Sequence, residues 1–177
     1  MSITFLTGGA RSGKSTLAVG LAVRSGGPVT FLATAEARDE EMSGRIAAHR
    51  AERPPEWSVI EEPLDLLNAL RLTDAGSLVI IDCLTLWVAN LMEQGLGAHD
   101  IKGLSVKAAS AAAERPSATI VVSNEVGSGI VPVSNLAREY QDVLGTVNSI
   151  WAAAAESAYL VVAGRALSLD PPSIEMS

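Results

Sequence analysis

The chain has 177 residues, 48% hydrophobic and 19% charged, with a formal net charge of −7. That length fits one domain with a sizeable core, and the composition excludes a disordered chain. The acidic balance argues against the basic footprint that nucleic-acid binding needs, so an anionic ligand must be held by a local feature.

No apolar run reaches the roughly 18 residues that would span a bilayer. The first fifteen residues, MSITFLTGGARSGKS, lack a basic leader and a cleavage site, so no signal peptide is expected. Cys83 is the only cysteine and has no partner for an internal disulfide. A cytoplasmic protein with no membrane span is the expectation.

Short β-branched runs alternate with helical stretches. Ile3 to Thr7 reads as a strand entering a glycine-rich turn, and Ser15 to Arg24 has helical spacing. Val29 to Thr34 reads as a second strand, and Asp39 to Arg53 as a helix ended by Pro54-Pro55. Trp57 to Ile60 is a short strand candidate, and Pro63 is expected to open a helix through Leu72, where a first-turn proline loses nothing. Leu78 to Asp82 and Thr119 to Asn124 are further strands. Glu93 to Lys102 reads as a surface loop containing His99, and Ala108 to Ala113 as a helix.

Asn135 to Glu156 is a long amphipathic helix, Ala158 to Gly164 the last apolar strand, and Ala166 to Leu169 a candidate antiparallel edge strand before Pro171-Pro172. Such alternation implies right-handed crossovers and a mostly parallel sheet covered on both faces.

Residues 8 to 15, GGARSGKS, fit G-x-x-x-x-G-K-[ST] with a strand before and a helix after. Glycines let successive N–H groups turn inward onto phosphate oxygens, and the helix adds its positive end. Lys14 is then the residue that bridges phosphates and Ser15 a Mg²⁺ ligand. Asp82 closes the LVIID strand, which sets a carboxylate at the carboxyl edge of the sheet where it can hold Mg²⁺; capping the next helix is its alternative use. Switch-GTPase signatures are missing, since Asp82 leads to Cys83-Leu84-Thr85 and Asn124 is followed by Glu125 rather than lysine. The cradle alone leaves kinase, nucleotidyltransferase and ATPase open.

Between Glu36 and Glu62 lie eight acids and four arginines, Arg38, Arg45, Arg50 and Arg53, most of which read as a solvated helix face. Arg45 and Arg53 stand four residues either side of His49, which lines the three side chains along one helix face. Positive neighbours keep an imidazole neutral and nucleophilic. On pattern alone, His49 is a solvated helix residue.

With these residues in view, the chain resembles the bifunctional adenosylcobinamide kinase / adenosylcobinamide-phosphate guanylyltransferase family of cobalamin biosynthesis. The resemblance runs through TGGARSGKS, FLATAEARDEEMSGRIAAHRAERPPEW, EEPLDLL, IIDCLTLWVANL, VSNEVGSGIVP and YLVVAG. It implies a single P-loop (RecA-like) three-layer α/β domain over 1–177, with a mostly parallel sheet and an antiparallel edge strand, associating as a homotrimer.

The implied chemistry has two steps. ATP or GTP phosphorylates the aminopropanol hydroxyl of adenosylcobinamide; GTP then gives GMP to that phosphate through a GMP-histidine, and His49 matches that histidine. By matching position, the implied nucleotide contacts are Gly8, Gly9, Ala10, Arg11, Ser12, Gly13, Lys14 and Ser15, then Ala33, Thr34 and Ala35, then Arg50, Ala51, Glu52 and Arg53, with Glu61 and Asp82. Where many relatives carry an acidic or amide residue after the proline of VSNEVGSGIVP, this chain has Val133-Ser134-Asn135. A P-loop small-molecule kinase without guanylyl transfer and a non-catalytic nucleotide sensor are the alternatives.

Overall fold

The structure is a computed structural model that describes residues 2–36, 40, 44, 50 and 53–171. Its strands are β1 (Ile3–Thr7), β2 (Val29–Ala33), β3 (Ser58–Glu61), β4 (Leu78–Asp82), β5 (Thr119–Val122), β6 (Ser157–Val162) and β7 (Arg165–Ser168). The helices are α1 (Lys14–Ser25), α2 (Leu66–Leu72), α3 (Leu84–Glu93), α4 (Ala98–Glu114) and α5 (Asn135–Ala154). The sheet runs β3-β2-β4-β5-β1-β6-β7, parallel throughout except for the β6–β7 pair. The expected antiparallel edge strand is therefore present.

Period-two side-chain alternation sorts the strands into two cores. Ile3, Phe5, Leu32, Val79, Ile81 and Val121 point to the face covered by α2, α3, α4 and α5, where Trp87 and Trp151 are buried. Leu6, Val29, Phe31, Leu78, Ile80, Ile120 and Val122 meet Ala18 and Ala22 of α1 on the other face. Strands buried on both sides read as continuous apolar runs, which is why LVII and TIVV carried no polar alternation.

Two expected boundaries move by more than two residues. The helix expected from Pro63 begins at Leu66, because Glu62 Oε1 accepts the N–H groups of Leu64 and Asp65, both at 2.9 Å, and turns the chain first. Asp65 then caps the helix by accepting the Asn68 N–H at 3.1 Å. The loop expected over Glu93–Lys102 shrinks to 94–97: α4 starts at Ala98, so His99 lies in its first turn. The helix expected over Ala108–Ala113 is part of α4, and Ile101, Ala108 and Ala112 bury its packing face against the core. Most of the helix expected over Asp39–Arg53 lies outside the described residues; Glu40, Gly44 and Arg50 are helical.

Candidate functional site

The parallel register brings Glu61, Ala33, Asp82, Val122 and Leu6 into one row across β3, β2, β4, β5 and β1. Each of these strands ends there, so the loops that follow share the carboxyl edge of the sheet. β5 lies between β1 and β4, which puts Asp82 two strand spacings, about 10 Å, from the end of β1. Crevices outside this edge are where open α/β sheets bind ligands.

At β1 the chain turns through Gly8 at φ 153° and reaches α1 through Gly13 at φ 97°. Close approach requires glycine at position 8, and the positive φ favours it at position 13. A Cβ on Gly8 would lie 2.2 Å from the Val161 carbonyl oxygen, and one on Gly13 would lie 3.2 Å from Gly164 Cα. The β6–β7 turn braces the cradle from behind, with Gly164 N–H donating to Ser12 O at 2.8 Å. Arg11 takes up left-handed backbone at φ 56° at the exposed tip beside Gly9 and Ala10.

Lys14 is only 6% exposed. Its ammonium donates to Gly8 O at 2.9 Å, Gly9 O at 2.6 Å and Ser12 Oγ at 3.3 Å, which holds the charge inside the loop. Burial lowers its pKa, opposed by the nearby Cys83 and Asp82 groups. A desolvated cation fixed against carbonyl dipoles is a strong point of attraction for a phosphate oxygen. Ser15 is half-buried in the first turn of α1.

Asp82 does not cap α3: the N-cap residue is Cys83, and no side chain caps that helix. Thr34 organises the strand ends instead. Its N–H donates to Asp82 O at 3.1 Å, and its hydroxyl donates to Cys83 O at 2.7 Å while accepting from Cys83 N–H at 2.9 Å. Asn90 Nδ2 bonds Thr34 O at 2.8 Å and Pro63 O at 3.2 Å, tying this corner to α3. Thr34 is fully buried, while Ala33 and Ala35 beside it are half-buried at the edge.

Burial, reinforced by the Asp82 charge, pushes the Cys83 thiol up to about 11. Native Cys83 should therefore react with iodoacetamide at pH 8 about 100-fold more slowly than the same thiol in unfolded chain, the rate rising with pH as thiolate forms. Timed alkylation read by intact mass checks this, and fast labelling of the folded protein would contradict it.

Farther along the edge, Arg50 Nη2 stands 3.9 Å from Glu61 Oε1 in an exposed ion pair. The Arg53 guanidinium lies over the Phe31 ring, 3.4 Å from its centroid. His49, Arg45, Ala51 and Glu52 lie outside the described residues. The structure thus brings the cradle, Asp82, the Ala33–Ala35 corner, Glu61, Arg50 and Arg53 to one edge of the sheet.

A sequence model of the family described as cobinamide kinase / cobinamide phosphate guanyltransferase matches residues 4–169. The chain belongs to the cobinamide kinase / cobinamide phosphate guanyltransferase family. It is 43% identical over 165 residues to the bifunctional adenosylcobalamin biosynthesis protein CobP of Pseudomonas aeruginosa, covering 93% of this chain and 95% of that protein. It is 37% identical to the bifunctional adenosylcobalamin biosynthesis protein CobU of Escherichia coli, covering 90% of this chain and 94% of the relative.

Among solved structures, the RadB recombinase superposes with a TM-score of 0.52 at 18% identity, covering 90% of this chain and 73% of that one. The flagellar accessory protein FlaH of Methanocaldococcus jannaschii gives 0.51 at 16% identity, covering 93% and 74%. These likenesses show the fold of this cobinamide kinase / guanyltransferase family member as a RecA-like P-loop domain.

The sequence reading missed the supports of the site: Asn90, the bracing turn at Gly164, and the α5 side chains that reach the loop after β5. A glycine directly after an apolar strand was the available signal for the turn.

Proposed function

We propose that this chain, as a single nucleotide-binding domain, phosphorylates the aminopropanol hydroxyl of adenosylcobinamide with ATP or GTP and then transfers GMP from GTP to that phosphate. In the first step the hydroxyl oxygen attacks the γ-phosphorus, the bond to the β-phosphate oxygen breaks, the nucleoside diphosphate leaves and the hydroxyl proton is released to solvent. In the second, a His49 ring nitrogen attacks the α-phosphorus and pyrophosphate leaves. The substrate phosphate then displaces the histidine to give adenosylcobinamide-GDP. Splitting a displacement between two anions into two steps is what a nucleophilic imidazole supplies.

The observation that carries this reading is the Lys14 ammonium held within the Gly8–Ser15 loop, in a member of this family. Lys14 neutralises charge on the transferred phosphoryl group, and the loop N–H groups orient the triphosphate for in-line attack. Arg50 and Arg53, beside His49 in sequence, are assigned to the second nucleotide contact with Ala51, Glu52 and Glu61; Ala33, Thr34 and Ala35 form the wall between the two regions.

Among the described residues, no group of three His, Cys, Asp or Glu side chains is placed to hold a metal ion. A Mg²⁺ that arrives with nucleotide and keeps several waters needs only a hydroxyl and a carboxylate, and Ser15 and Asp82 fit that donor set. Bound there, the cation would neutralise phosphate charge.

The net charge of −7 supports small-molecule substrates over nucleic acid. No helix among the described residues is long and apolar enough to cross a membrane, and we assign the protein to the cytoplasm. The homotrimer is proposed from the family resemblance; Ile130 and Val133, each 97% exposed near Val131 and Leu136 in sequence, support self-association without setting its number.

Incubating the protein with adenosylcobinamide, Mg²⁺ and ATP, and then with GTP, tests the reading: the phosphate ester and then the GDP derivative should form. Absence of both products would contradict it. Asp82→Asn keeps shape but removes the charge, so both activities should fall about 100-fold or more while the thermal midpoint moves by only a few degrees. Equal loss of activity and stability would assign Asp82 to the scaffold instead.

A further inference from the structure

Three side-chain donors on one face of α5 reach backbone carbonyls of the segment after β5. Arg138 Nη1 donates to Pro132 O at 2.7 Å and Val133 O at 2.8 Å. Gln141 Nε2 donates to Val126 O at 2.8 Å, and Asn148 Nδ2 to Asn124 O at 2.9 Å. Spacings of three and seven residues align these side chains in a single stripe of the helix.

Further bonds fix the same segment. Ser123 Oγ donates to Asn148 Oδ1 at 2.6 Å, and Asn124 N–H donates to Thr85 Oγ1 at 2.7 Å. The Glu125 carboxylate folds back onto its own loop, accepting from Gly127 N–H at 2.5 Å and Ser128 N–H at 3.2 Å. Burial works to raise the pKa of this carboxyl, but those hydrogen bonds outweigh it and leave the value lowered.

The consequence is felt at the cradle. Glu125 N–H donates to Gly8 O at 3.0 Å, and that same oxygen accepts from Lys14 Nζ at 2.9 Å. One carbonyl thus joins the loop that α5 holds to the ammonium that meets the triphosphate.

We propose that Arg138, Gln141 and Asn148 are positioning residues for the triphosphate: they hold residues 124–133 so that Glu125 N–H fixes the Gly8 carbonyl on which Lys14 is seated. This rests on the cradle binding nucleotide. None of the three touches the nucleotide in this account.

The test is titration of the full chain with a fluorescent GTP analogue and Mg²⁺, alongside steady-state kinetics and thermal melts, for Arg138→Met, Gln141→Leu, their double variant and Arg138→Lys. The double variant should raise the nucleotide Kd and KM about tenfold, with a smaller change in kcat. Arg138→Lys, which keeps a donor for the carbonyls, should recover most of the affinity lost in Arg138→Met. Should the double variant fail to fold, the decision passes to Gln141→Leu alone, where about a threefold rise in Kd is expected. A Kd and KM within twofold of the parent in the double variant, or in Gln141→Leu where the double variant does not fold, would overturn the proposal even if melting temperatures fell. A parent chain that binds no nucleotide would overturn the cradle reading itself, and the positioning role with it.

Discussion

Replacing Lys14 by alanine is expected to lower both phosphoryl and guanylyl transfer by about 100-fold or more, with little change in the melting temperature. Hydrogen bonds from a charged group contribute about 1.5–3 kcal/mol each, and about 1.4 kcal/mol is a factor of ten. Two such bonds to phosphate oxygens therefore account for a loss of that size. The fold loses less. The Lys14 ammonium is desolvated, which offsets part of what its three contacts contribute, and Gly8 O keeps the Glu125 N–H when the lysine is gone. Equilibrium nucleotide binding and both activities, measured beside a thermal melt, check the expectation. Unchanged rates would remove the cradle from the mechanism.

His49→Ala is expected to separate the two activities. Guanylyl transfer should drop below detection, since no other group takes over the phosphoramidate, whereas phosphorylation of adenosylcobinamide should stay within about tenfold of the parent because it needs only direct in-line transfer. Some loss in the kinase step is expected if the proposed triphosphate contacts of Arg50 and Arg53, close to His49 in sequence, shift with the substitution. The ratio of the two rates in the variant is therefore the quantity to measure. A fall of both rates by the same factor would assign His49 to nucleotide binding rather than to covalent transfer.

Strand positions were legible because β1, β2, β4 and β5 are buried on both faces and stand out as apolar runs. The strand order was not. Insertion of β5 between β1 and β4 depends on which crossover packs against which face, and no local pattern encodes that. The cradle was legible because its backbone demands glycine at positions 8 and 13 and its chemistry demands lysine at 14.

The start of α2 was misplaced because Pro63 suits both a first helical turn and the turn that Glu62 and Asp65 build with their carboxylates. His99 was assigned to a loop because Gly95 and Gly97 outweighed the buried periodicity that starts at Ile101. Thr34 was marked as a nucleotide contact from resemblance. Its hydroxyl also bonds the Cys83 backbone, a partner 49 residues away that sequence cannot pair with it.

The most direct measurement of the central claim is to incubate the parent protein and the His49→Ala variant with α-labelled GTP and Mg²⁺, without cobinamide, and to locate label on the chain. The account predicts acid-labile, base-stable label on the parent, mapping to the peptide that holds His49, and none on the variant, because a phosphoramidate hydrolyses once its nitrogen is protonated. Label that persists in His49→Ala, or that maps to His99, would contradict it.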